Sequence, residues 1–545
     1  MTALVQRLRR VDPTCWVLLA ALLVYANTLT AGFVYDDTTA IVPNPVLRGP
    51  LSLARVFTTD IWGLGRSDPW SVHTYRPLLT LSYVLDRAVG GWEPWSFHLT
   101  NVLLHAAASV LFFRSLARRL VDPSAALVAG LAFALHPLHT DAVASITNRS
   151  EVAYALAALG VYALHARRGA GATIAAPLAL AGGLLCKEAA VVVVPLLVVR
   201  DLLGTATTRA EKSARYAGYA LALGATAAMR HLALGSIDTL RPDYLANPLR
   251  DASVGVRAYW GVRFVGLVGR LLLAPLDLCA DYGAGVVSPT VGLDGDVALG
   301  AAALVGLAVL AVRARRSDPL LTEACAWVLV PAALYSNVAK VLPAPFAERW
   351  WYLGSAGCFL LLGAGVRAAR RRSRAALPAA GVALALWALV TVRRNADWAT
   401  SQRLFESAVA VQPGGARMRY FVARFRFREE RMAEAFAHVQ VAVRNAPDWA
   451  EPYGLYGRLL GMQRRDAEAD RAFARVGAMA GPASRTARMY WVDYLIGRRR
   501  FGEARAQLEW LRAAGLWGAD EATMEGILRA AEQRARESPR ARVPR

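Results

Sequence analysis

Cysteine and lysine are scarce in this sequence, and neither scarcity points to a special chemistry. Five cysteines are spread over 545 residues without a CxxC spacing, so neither a disulfide framework nor a zinc site is indicated. Lysine occurs only at Lys187, Lys212 and Lys340, an arginine bias typical of a GC-rich bacterial genome. Charged residues make up 19% of the chain and hydrophobic residues 55%, with a mean hydropathy of +0.31. This composition indicates a multipass membrane protein.

The net charge of +22 does not indicate nucleic-acid binding. The arginines cluster at the ends of apolar runs and over the last third of the chain, where membrane topology and a solvated helical surface account for them. No nucleic-acid partner is therefore expected.

Eleven apolar stretches are predicted to cross the membrane, so the predicted fold class is all-α. They lie at about 15–34, 98–117, 124–136, 141–165, 172–186, 188–200, 215–234, 297–312, 321–340, 350–366 and 376–393. The stretches on either side of Lys187 are short and are predicted to form a broken hairpin. The stretch 256–275 carries three arginines and breaks the alternation of charge, so it is predicted to be interfacial or re-entrant.

Charge at the span ends predicts the orientation. Arg7, Arg9 and Arg10 place the N-terminus in the cytoplasm, which puts the loop after the first span on the other side of the membrane. The first apolar run continues to Val34 without a convincing cleavage site, so it is interpreted as a retained span. An odd number of crossings then places the C-terminal third outside, in the periplasm of a bacterial inner membrane.

The last third of the chain changes to amphipathic helical spacing. Pro413, Pro447 and Pro482 are 34 and 35 residues apart, which is a tetratricopeptide period. Small and large apolar residues such as Gly457 and Phe473 fall where two helices of a repeat would pack. The predicted domains are a membrane domain at 1–393 and a repeat domain at 394–545, with ordinary amphipathic hairpins as the alternative.

An acidic pair, Asp36 and Asp37, opens the loop of about forty residues that follows the first predicted span. Carboxylates are costly to hold close to hydrocarbon, so two of them at a membrane surface indicate a site. Adjacent carboxylates also raise each other's pKa, which suits base chemistry near neutral pH. A merely hydrated loop start is the alternative.

Eight short sequence blocks follow one another between residues 33 and 353. They are FVYDD (33–37), HTYRP (73–77), FHLTNVLLH (97–105), HPLHTDAV (136–143), NRSE (148–151), LCKE (185–188), ADY (280–282) and AERWWYL (347–353). Together with the change to helical repeats, they resemble the transmembrane and tetratricopeptide-repeat O-mannosyltransferases, the TMTC family, within the GT-C class of membrane glycosyltransferases. The NRSE block departs from the more usual Gly-Arg-Ala-Glu or Gly-Arg-Ala-Asp, and the repeat array is shorter than is usual.

The resemblance implies a sugar donor carried on a polyprenyl phosphate. The sugar, mannose in the family, would be moved to a Ser or Thr hydroxyl of a protein or peptide on the non-cytoplasmic face. Two other functions stay open. One is a non-catalytic membrane scaffold that recruits partners through its repeats, and the other is a transporter, which would need ionisable residues buried in mid-span in both halves.

Inverting transfer from a lipid phosphate needs a base for the acceptor proton and cations for the departing phosphate. Asp36 is the predicted base, and Asp37 is predicted to support it or to bind a metal. Arg76, Arg349 and Lys187 are predicted to hold the phosphate, because guanidinium and ammonium groups match its oxygens. The residues predicted to support the site are His73, Tyr75, His136, His139, Asp141, Glu188 and Glu348.

A divalent cation is a further alternative at this site. His136, His139 and Asp141 have a ligand spacing that a metal could use. Pro137 argues against a regular helix there, so a hydrogen-bonded loop at the border of the site is favoured. Arg149 and Glu151 are predicted to form a structural ion pair.

Overall fold

The computed structural model describes residues 11–68, 71, 73–204, 207–238, 242–479 and 484–537. Over these ranges the secondary structure is helical and no named strand is formed, which confirms the all-α prediction. The chain divides into two compact units. The first comprises the described residues of Met1–Pro242, Leu249–Ala280 and Pro289–Ser407, and the second those of Asp243–Pro248, Asp281–Ser288 and Ala408–Arg545.

The first unit consists of helices and short connections. Its α-helices are α1 (Pro13–Val24), α2 (Asp37–Ala40), α3 (Pro45–Arg48), α4 (Leu53–Thr58), α5 (Pro77–Gly90), α6 (Pro94–Ser115), α7 (Pro123–Leu135), α8 (Thr140–Ala144), α9 (Arg149–His165), α10 (Ala170–Cys186), α11 (Val193–Leu202), α12 (Arg209–Leu234), α13 (Val254–Leu273), α14 (Gly295–Ala314), α15 (Pro319–Leu334), α16 (Trp351–Arg370), α17 (Ala376–Asp397) and α18 (Ser401–Val411), which leads into the second unit. Single 3₁₀ segments lie at Ala26–Thr30, Ala117–Leu120, Pro137–His139, Glu188–Val192 and Glu348–Trp350.

Several helices begin where a side-chain acceptor precedes a proline. The Asp122 carboxylate accepts the backbone N–H groups of Ser124 and Ala125 at 2.9 and 3.0 Å, and Pro123 follows it in the first turn. Proline costs nothing there, because an N–H in the first turn has no intrahelical partner. Asp12 caps α1 in the same way.

Five helical segments in the described part of the chain are long and apolar enough to cross a membrane. They are Pro13–Thr30, Pro94–Leu120, Gly295–Ala314, Glu348–Arg370 and Ala376–Asp397. The pair Pro123–Leu135 and Pro137–Ala144, bent by 40°, makes a sixth if it is one span. The chain is therefore a multi-pass membrane protein. The count of eleven crossings and the orientation stay predictions, and Arg7, Arg9 and Arg10 lie outside the described residues.

The helical path changes at Lys187, where the sequence predicts an interruption. Helix α10 ends at Cys186, Lys187 is extended with φ −164° and ψ 133°, and Glu188–Val192 is a 3₁₀ segment before α11. The break brings two charged side chains to the end of an apolar helix.

Helix α13 covers the stretch predicted to be interfacial or re-entrant. It is one continuous helix that packs closely on α14, because Gly266 and Gly300 lack side chains at the contact. Arg263 and Arg270 pair with Asp294 and Asp296 at the start of α14, at 2.7 and 3.2 Å. Paired arginines explain how this helix carries charge, and its relation to the membrane remains a prediction.

The second unit is built of helical hairpins. Its helices are α19 (Ala416–Arg428), α20 (Met432–Asn445), α21 (Ala450–Met462), α22 (Asp466–Ala478), α23 (Arg485–Gly497), α24 (Phe501–Ala513) and α25 (Ala519–Glu537). Each of the pairs α19–α20, α21–α22 and α23–α24 turns at a residue with left-handed φ, Glu430, Arg464 and Arg499 respectively. These turns are 34 and 35 residues apart, which is the spacing of the prolines in the sequence. Pro482 lies outside the described residues.

Close packing inside a hairpin falls where the sequence predicts it. A Cβ added at Gly457 would lie 2.8 Å from the Phe473 ring, so only glycine permits this approach of α21 and α22. The predicted domain boundary at 393/394 falls inside α17. The first unit continues to Ser407, and within it Phe405 of α18 packs against Tyr35, with ring centroids 5.4 Å apart.

Candidate active site

Asp37 is fully buried and its carboxylate is held by backbone amides. It accepts from Thr147 N at 2.8 Å, Val34 N at 3.1 Å and Ile146 N at 3.5 Å. Burial raises the pKa of the Asp37 carboxyl to about 6, and the charge of Asp36 adds to that rise. These contacts hold the first loop against residues 146–147.

Asp36 is the partly exposed member of the acidic pair. It precedes α2, and its backbone carbonyl accepts the amides of Thr39 and Ala40. The Asp36 carboxylate also acts electrostatically on the guanidinium of Arg349. The Asp36 carboxylate is therefore partly open to a ligand and interacts with the charge of Arg349.

Arg349 is tied to the segment that follows α7. Its backbone N–H and its guanidinium both donate to Asp141 Oδ2, at 3.3 and 3.2 Å. Asn148 donates from Nδ2 to Asp141 Oδ1 at 2.8 Å. The Arg349 side chain keeps 22% of its surface exposed, so it retains donors that a ligand can reach.

Arg76 reaches the same segment from the end of the first loop. Its Nη1 donates to Ser150 Oγ at 3.3 Å, and its Nε lies 3.8 Å from Glu188 Oε2. The Arg76 side chain is 17% exposed. The predicted site residues Arg76, Glu188, Asp141 and Arg349 are thus all connected through residues 141–150.

Lys187 sits deeper than the two arginines. Its ammonium pairs with Glu151 and lies over the rings of Tyr154 and Tyr335, at 5.5 and 5.6 Å from their centroids. Its side chain is only 7% exposed. Lys187 is therefore an internal partner of Glu151 rather than an exposed donor of the same kind as Arg76.

The predicted pair between Arg149 and Glu151 is wrong. Arg149 is fully buried and pairs with Asp86 at 2.5 Å, while Glu151 pairs with Lys187. Residues two apart on a helix point to different faces, so Arg149 and Glu151 cannot meet on α9. Arg149 also donates to Asn101 Oδ1, Ser82 Oγ and the carbonyl of Phe97, which satisfies the buried guanidinium.

The two histidines of the HPLH block face the helix bundle. His136 Nε2 bonds the carbonyl of Leu272 at 3.0 Å, and His139 Nε2 bonds Ser355 Oγ at 2.8 Å. The described residues contain no group of three or more His, Cys, Asp or Glu side chains placed to hold a metal ion. His136, His139 and Asp141 therefore do not form the metal site left open as an alternative, since Asp141 is engaged by Arg349 and Asn148.

The other predicted supporting residues have local structural partners. Tyr75 donates its hydroxyl to the carbonyl of Phe57 at 3.0 Å, and Glu348 accepts the backbone N–H of Cys279 at 2.6 Å. His73 takes a left-handed φ of 55°, and its carbonyl accepts from Arg230 Nη2 at 2.7 Å. Sequence reasoning missed Arg230. A charge within the apolar stretch 215–234 was the signal that could have found it.

Comparisons with known proteins agree with the resemblance of the sequence blocks. No protein-family model matches the chain. It is 34% identical over 280 residues to Protein O-mannosyl-transferase Tmtc2 of Drosophila melanogaster, covering 48% of this chain and 29% of that protein. It is 30% identical over 464 residues to Protein O-mannosyl-transferase TMTC4 of Mus musculus, covering 74% and 62%. The chain thus spans less than two thirds of these relatives.

A solved structure is also similar. The crystal structure of ArnT from Cupriavidus metallidurans bound to undecaprenyl phosphate has a TM-score of 0.42 and 17% sequence identity, covering 81% of this chain and 80% of that chain.

The helices and their charged connections define a multi-pass helical membrane protein with a cluster of arginines and carboxylates between its helix ends. Sequence similarity then points to one group of proteins. The chain is similar to TMTC proteins, which are named protein O-mannosyl-transferases.

Proposed function

We propose that this chain is a GT-C-type membrane glycosyltransferase. It moves a mannose-like sugar from a polyprenyl-phosphate-linked donor to a hydroxyl acceptor on protein Ser or Thr. One observation carries the proposal: two partly exposed arginines, Arg76 and Arg349, both attach to residues 141–150, and the same segment holds the acidic pair through Asp37. The reaction needs a base for the acceptor proton and cations or hydrogen-bond donors for the departing phosphate, and these residues supply both.

The proposed reaction uses Asp36 as general base. The Asp36 carboxylate accepts the proton of the Ser or Thr hydroxyl while the hydroxyl oxygen bonds to the anomeric carbon of the sugar. The bond between that carbon and the phosphate oxygen breaks, and the phosphate leaves with the electron pair. Arg76 and Arg349 donate hydrogen bonds to the phosphate oxygens, where negative charge develops.

Lys187 and Glu188 have a secondary place in this proposal. Lys187 neutralises Glu151 next to the site, and Glu188 balances Arg76 at 3.8 Å. That long, half-exposed contact is weak, so a phosphate can displace Glu188 from Arg76 at small cost. Arg349 stays anchored by Asp141.

The decisive experiment compares variants in a strain that lacks the gene. Mass spectrometry of its glycoproteins would measure the transferred sugar after complementation with the wild type, Asp36→Asn or Glu93→Gln. Glu93 is an exposed acid that caps no amide of α6, so it is the matched control. We expect Glu93→Gln to restore the sugar and Asp36→Asn to reduce the transfer rate about 10²- to 10⁴-fold. Full transfer by Asp36→Asn would overturn Asp36 as the base and favour the scaffold.

The proposed orientation puts the N-terminus in the cytoplasm of a bacterial cell, with the acidic pair and the repeats on the periplasmic side. A membrane-impermeant maleimide tests it in whole cells, using a protein whose native cysteines are replaced. A cysteine at Thr39, which is exposed beside the acidic pair, should react, whereas one at Arg371 after α16 should not. The reverse pattern would place the site in the cytosol and end the proposal.

The second unit is proposed to be a tetratricopeptide-type array that binds extended acceptor segments. Partly exposed rings of Phe427 and Tyr490 come from different hairpins and lie 6.1 Å apart, which gives a surface shared between repeats. A photoreactive residue at Tyr490 should crosslink an acceptor peptide, and one at the exposed turn residue Glu430 should not. Equal crosslinking at both positions would count against this surface.

A further inference from the structure

Helix α5 buries an acidic side chain and exposes two large apolar ones. Its buried side includes Leu79, Thr80, Tyr83 and Asp86. Its outer side exposes Leu85 and Val89, with 58% and 76% of their surface accessible. In water, such a helix would be expected to bury its apolar face and expose its acid.

The inward position of Asp86 is fixed by strong partners. Asp86 pairs with the buried Arg149 and accepts the hydroxyl of Thr100 at 2.5 Å. The Arg149 guanidinium also lies over the Tyr83 ring, 4.7 Å from its centroid. These contacts fix the rotation of α5 about its axis, so Leu85 and Val89 are held outward.

The outer apolar face continues into a spanning helix. Leu85 and Val89 are four residues apart and share one face of α5, and Trp92 follows the end of the helix after Gly91. The spanning segment Pro94–Leu120 begins two residues later, and Trp95 in its first turn is 41% exposed. Leu85, Val89 and Trp92, here called the stripe, therefore lie at the point where the chain enters the membrane.

Two arginines border the end of this stripe. The guanidinium carbons of Arg87 and Arg48 lie 5.1 and 5.8 Å from the centroid of the Trp92 ring. Arg87 Nη1 also donates to the carbonyls of Leu47 and Gly49. Tryptophan flanked by arginine is the arrangement that favours the level of lipid headgroups.

We propose that α5 and Trp92 dock on the surface of the lipid leaflet from which α6 departs. Leu85 and Val89 enter the edge of the acyl region, Trp92 lies at the headgroup level, and Arg48 and Arg87 face the lipid phosphates. Because Arg76 directly precedes α5, docking would also hold Arg76 at a fixed depth. The docking does not depend on the transfer reaction.

A lipid surface fits this stripe better than a second copy of the chain. Three outward side chains are far fewer than the roughly 20–30 residues that each partner contributes to a stable protein interface. The adjoining arginines would meet like charge across a symmetric contact, whereas lipid phosphates complement them.

Depth-dependent quenching in the full-length protein tests the proposal. With native cysteines replaced, a fluorescent label would be placed at Val89→Cys, Leu85→Cys or Ser67→Cys, and the protein reconstituted in nanodiscs with and without nitroxide-bearing lipids. Ser67 is an exposed residue of a polar turn and serves as the control. We expect quenching at positions 85 and 89 to exceed that at position 67 by at least about twofold.

Two results would overturn the proposal. One is equal quenching at positions 67, 85 and 89, which would leave the stripe in water. The other is a disulfide between two copies at position 89 together with a lack of quenching, which would assign the stripe to a protein contact. Because two exposed positions on one face are read independently, failure of one labelled variant to fold leaves the other as a valid test.

Discussion

The buried carboxyl of Asp37 makes stability depend on pH. Its pKa in the folded protein is raised to about 6 by burial, so the folded state binds this proton more tightly than the unfolded chain does. The contribution of Asp37 is complete below the ordinary aspartate pKa of about 4 and is lost as the pH rises to about 6. We predict that Asp37→Asn flattens this fall, measured as thermal-unfolding midpoints between about pH 4 and about pH 7 in detergent.

Asp36→Asn is the matched control for that measurement. It leaves the amides of Val34 and Thr147 bonded to Asp37, so the fall in stability between about pH 4 and about pH 6 should persist. An Asp37→Asn protein with the wild-type pH dependence would show that another group titrates in this range.

The buried pair of Arg149 and Asp86 predicts a large loss of stability. Asp86→Ala leaves a fully buried guanidinium without its counter-charge, which costs about 3–5 kcal/mol. Ser82→Ala removes only one hydrogen bond to the same guanidinium and should cost about 1 kcal/mol. Chemical unfolding in detergent would measure both. Similar small losses for both variants would show that Asp86 does not carry the charge balance.

The identity of this partner could not be predicted from the sequence. Arg149 and Glu151 are close in sequence and opposite in charge, which favoured pairing them. The helix places them on different faces, and the true partner, Asp86, comes from α5, a helix with too many polar residues to be recognised as an apolar run. Pairings between distant elements depend on packing that local patterns do not encode.

At the scale of elements, the contact of α13 with α14 depends on two glycines. A Cβ at Gly300 would lie 2.0 Å from the carbonyl oxygen of Val262, a distance that forces the helices apart. We predict that Gly300→Ala destabilises the protein by about 1–3 kcal/mol. Gly306→Ala on the same helix meets nothing within 4 Å and should be neutral or slightly stabilising. Thermal unfolding in detergent compares the two, and equal midpoints would contradict the close contact.

The turns of the hairpins predict a stabilising substitution. Arg464 has a φ of 59°, a conformation that costs a side-chain-bearing residue about 1–2 kcal/mol. Arg464→Gly should therefore raise the stability of the second unit by about 0.5–1 kcal/mol, whereas Gln463→Gly, one residue earlier, should lower it. Hydrogen exchange of the α21 and α22 amides would measure this. Slower exchange in Gln463→Gly than in Arg464→Gly would contradict it.

Sequence patterns predicted well the elements that have a regular repeat or a long apolar run. The period of 34 and 35 residues marks prolines in the sequence and left-handed turns in the structure, and the long apolar run of α14 is a candidate span. The loop 36–76 was harder, because its helices α2, α3 and α4 are four to six residues long; α3 and α4 are each capped by one side chain, and α2 has no side-chain cap. Such helices exist only through their packing.

At the scale of the whole molecule, the order of the sequence blocks pointed to the family, and the structure joins several of them. Blocks 33–37, 73–77, 148–151 and 347–353 are far apart in sequence, yet Asp37, Arg76 and Arg349 all contact residues 141–150. The sequence could propose the members of this site. It could not reveal that Arg230 supports His73 or that His136 and His139 pack inside the bundle, because those roles depend on which face of a helix is buried.

The second unit is discontinuous in sequence, and this gives a prediction about the whole chain. Residues of Asp281–Ser288 pack on its first hairpin, where Ala284 clusters with Ala416 and Ala446 and Asp281 pairs with Arg417 at 2.9 Å. An isolated 408–545 fragment lacks these partners. We predict that amides of α19 and α20 exchange hydrogen at least about tenfold faster in the fragment than in the full chain, a loss of about 1.4 kcal/mol of local stability.

Helices α23 and α24 provide the internal control for that comparison. Their buried contacts, such as Leu495 with Ala504 and Leu508, lie within 408–545, so their exchange rates should be nearly the same in the fragment and the full chain. Faster exchange throughout the fragment would mean that 281–288 supports the whole array instead of its first hairpin. Equal protection of α19 in both proteins would mean that the repeat unit begins at 408 and needs no part of the loop between α13 and α14.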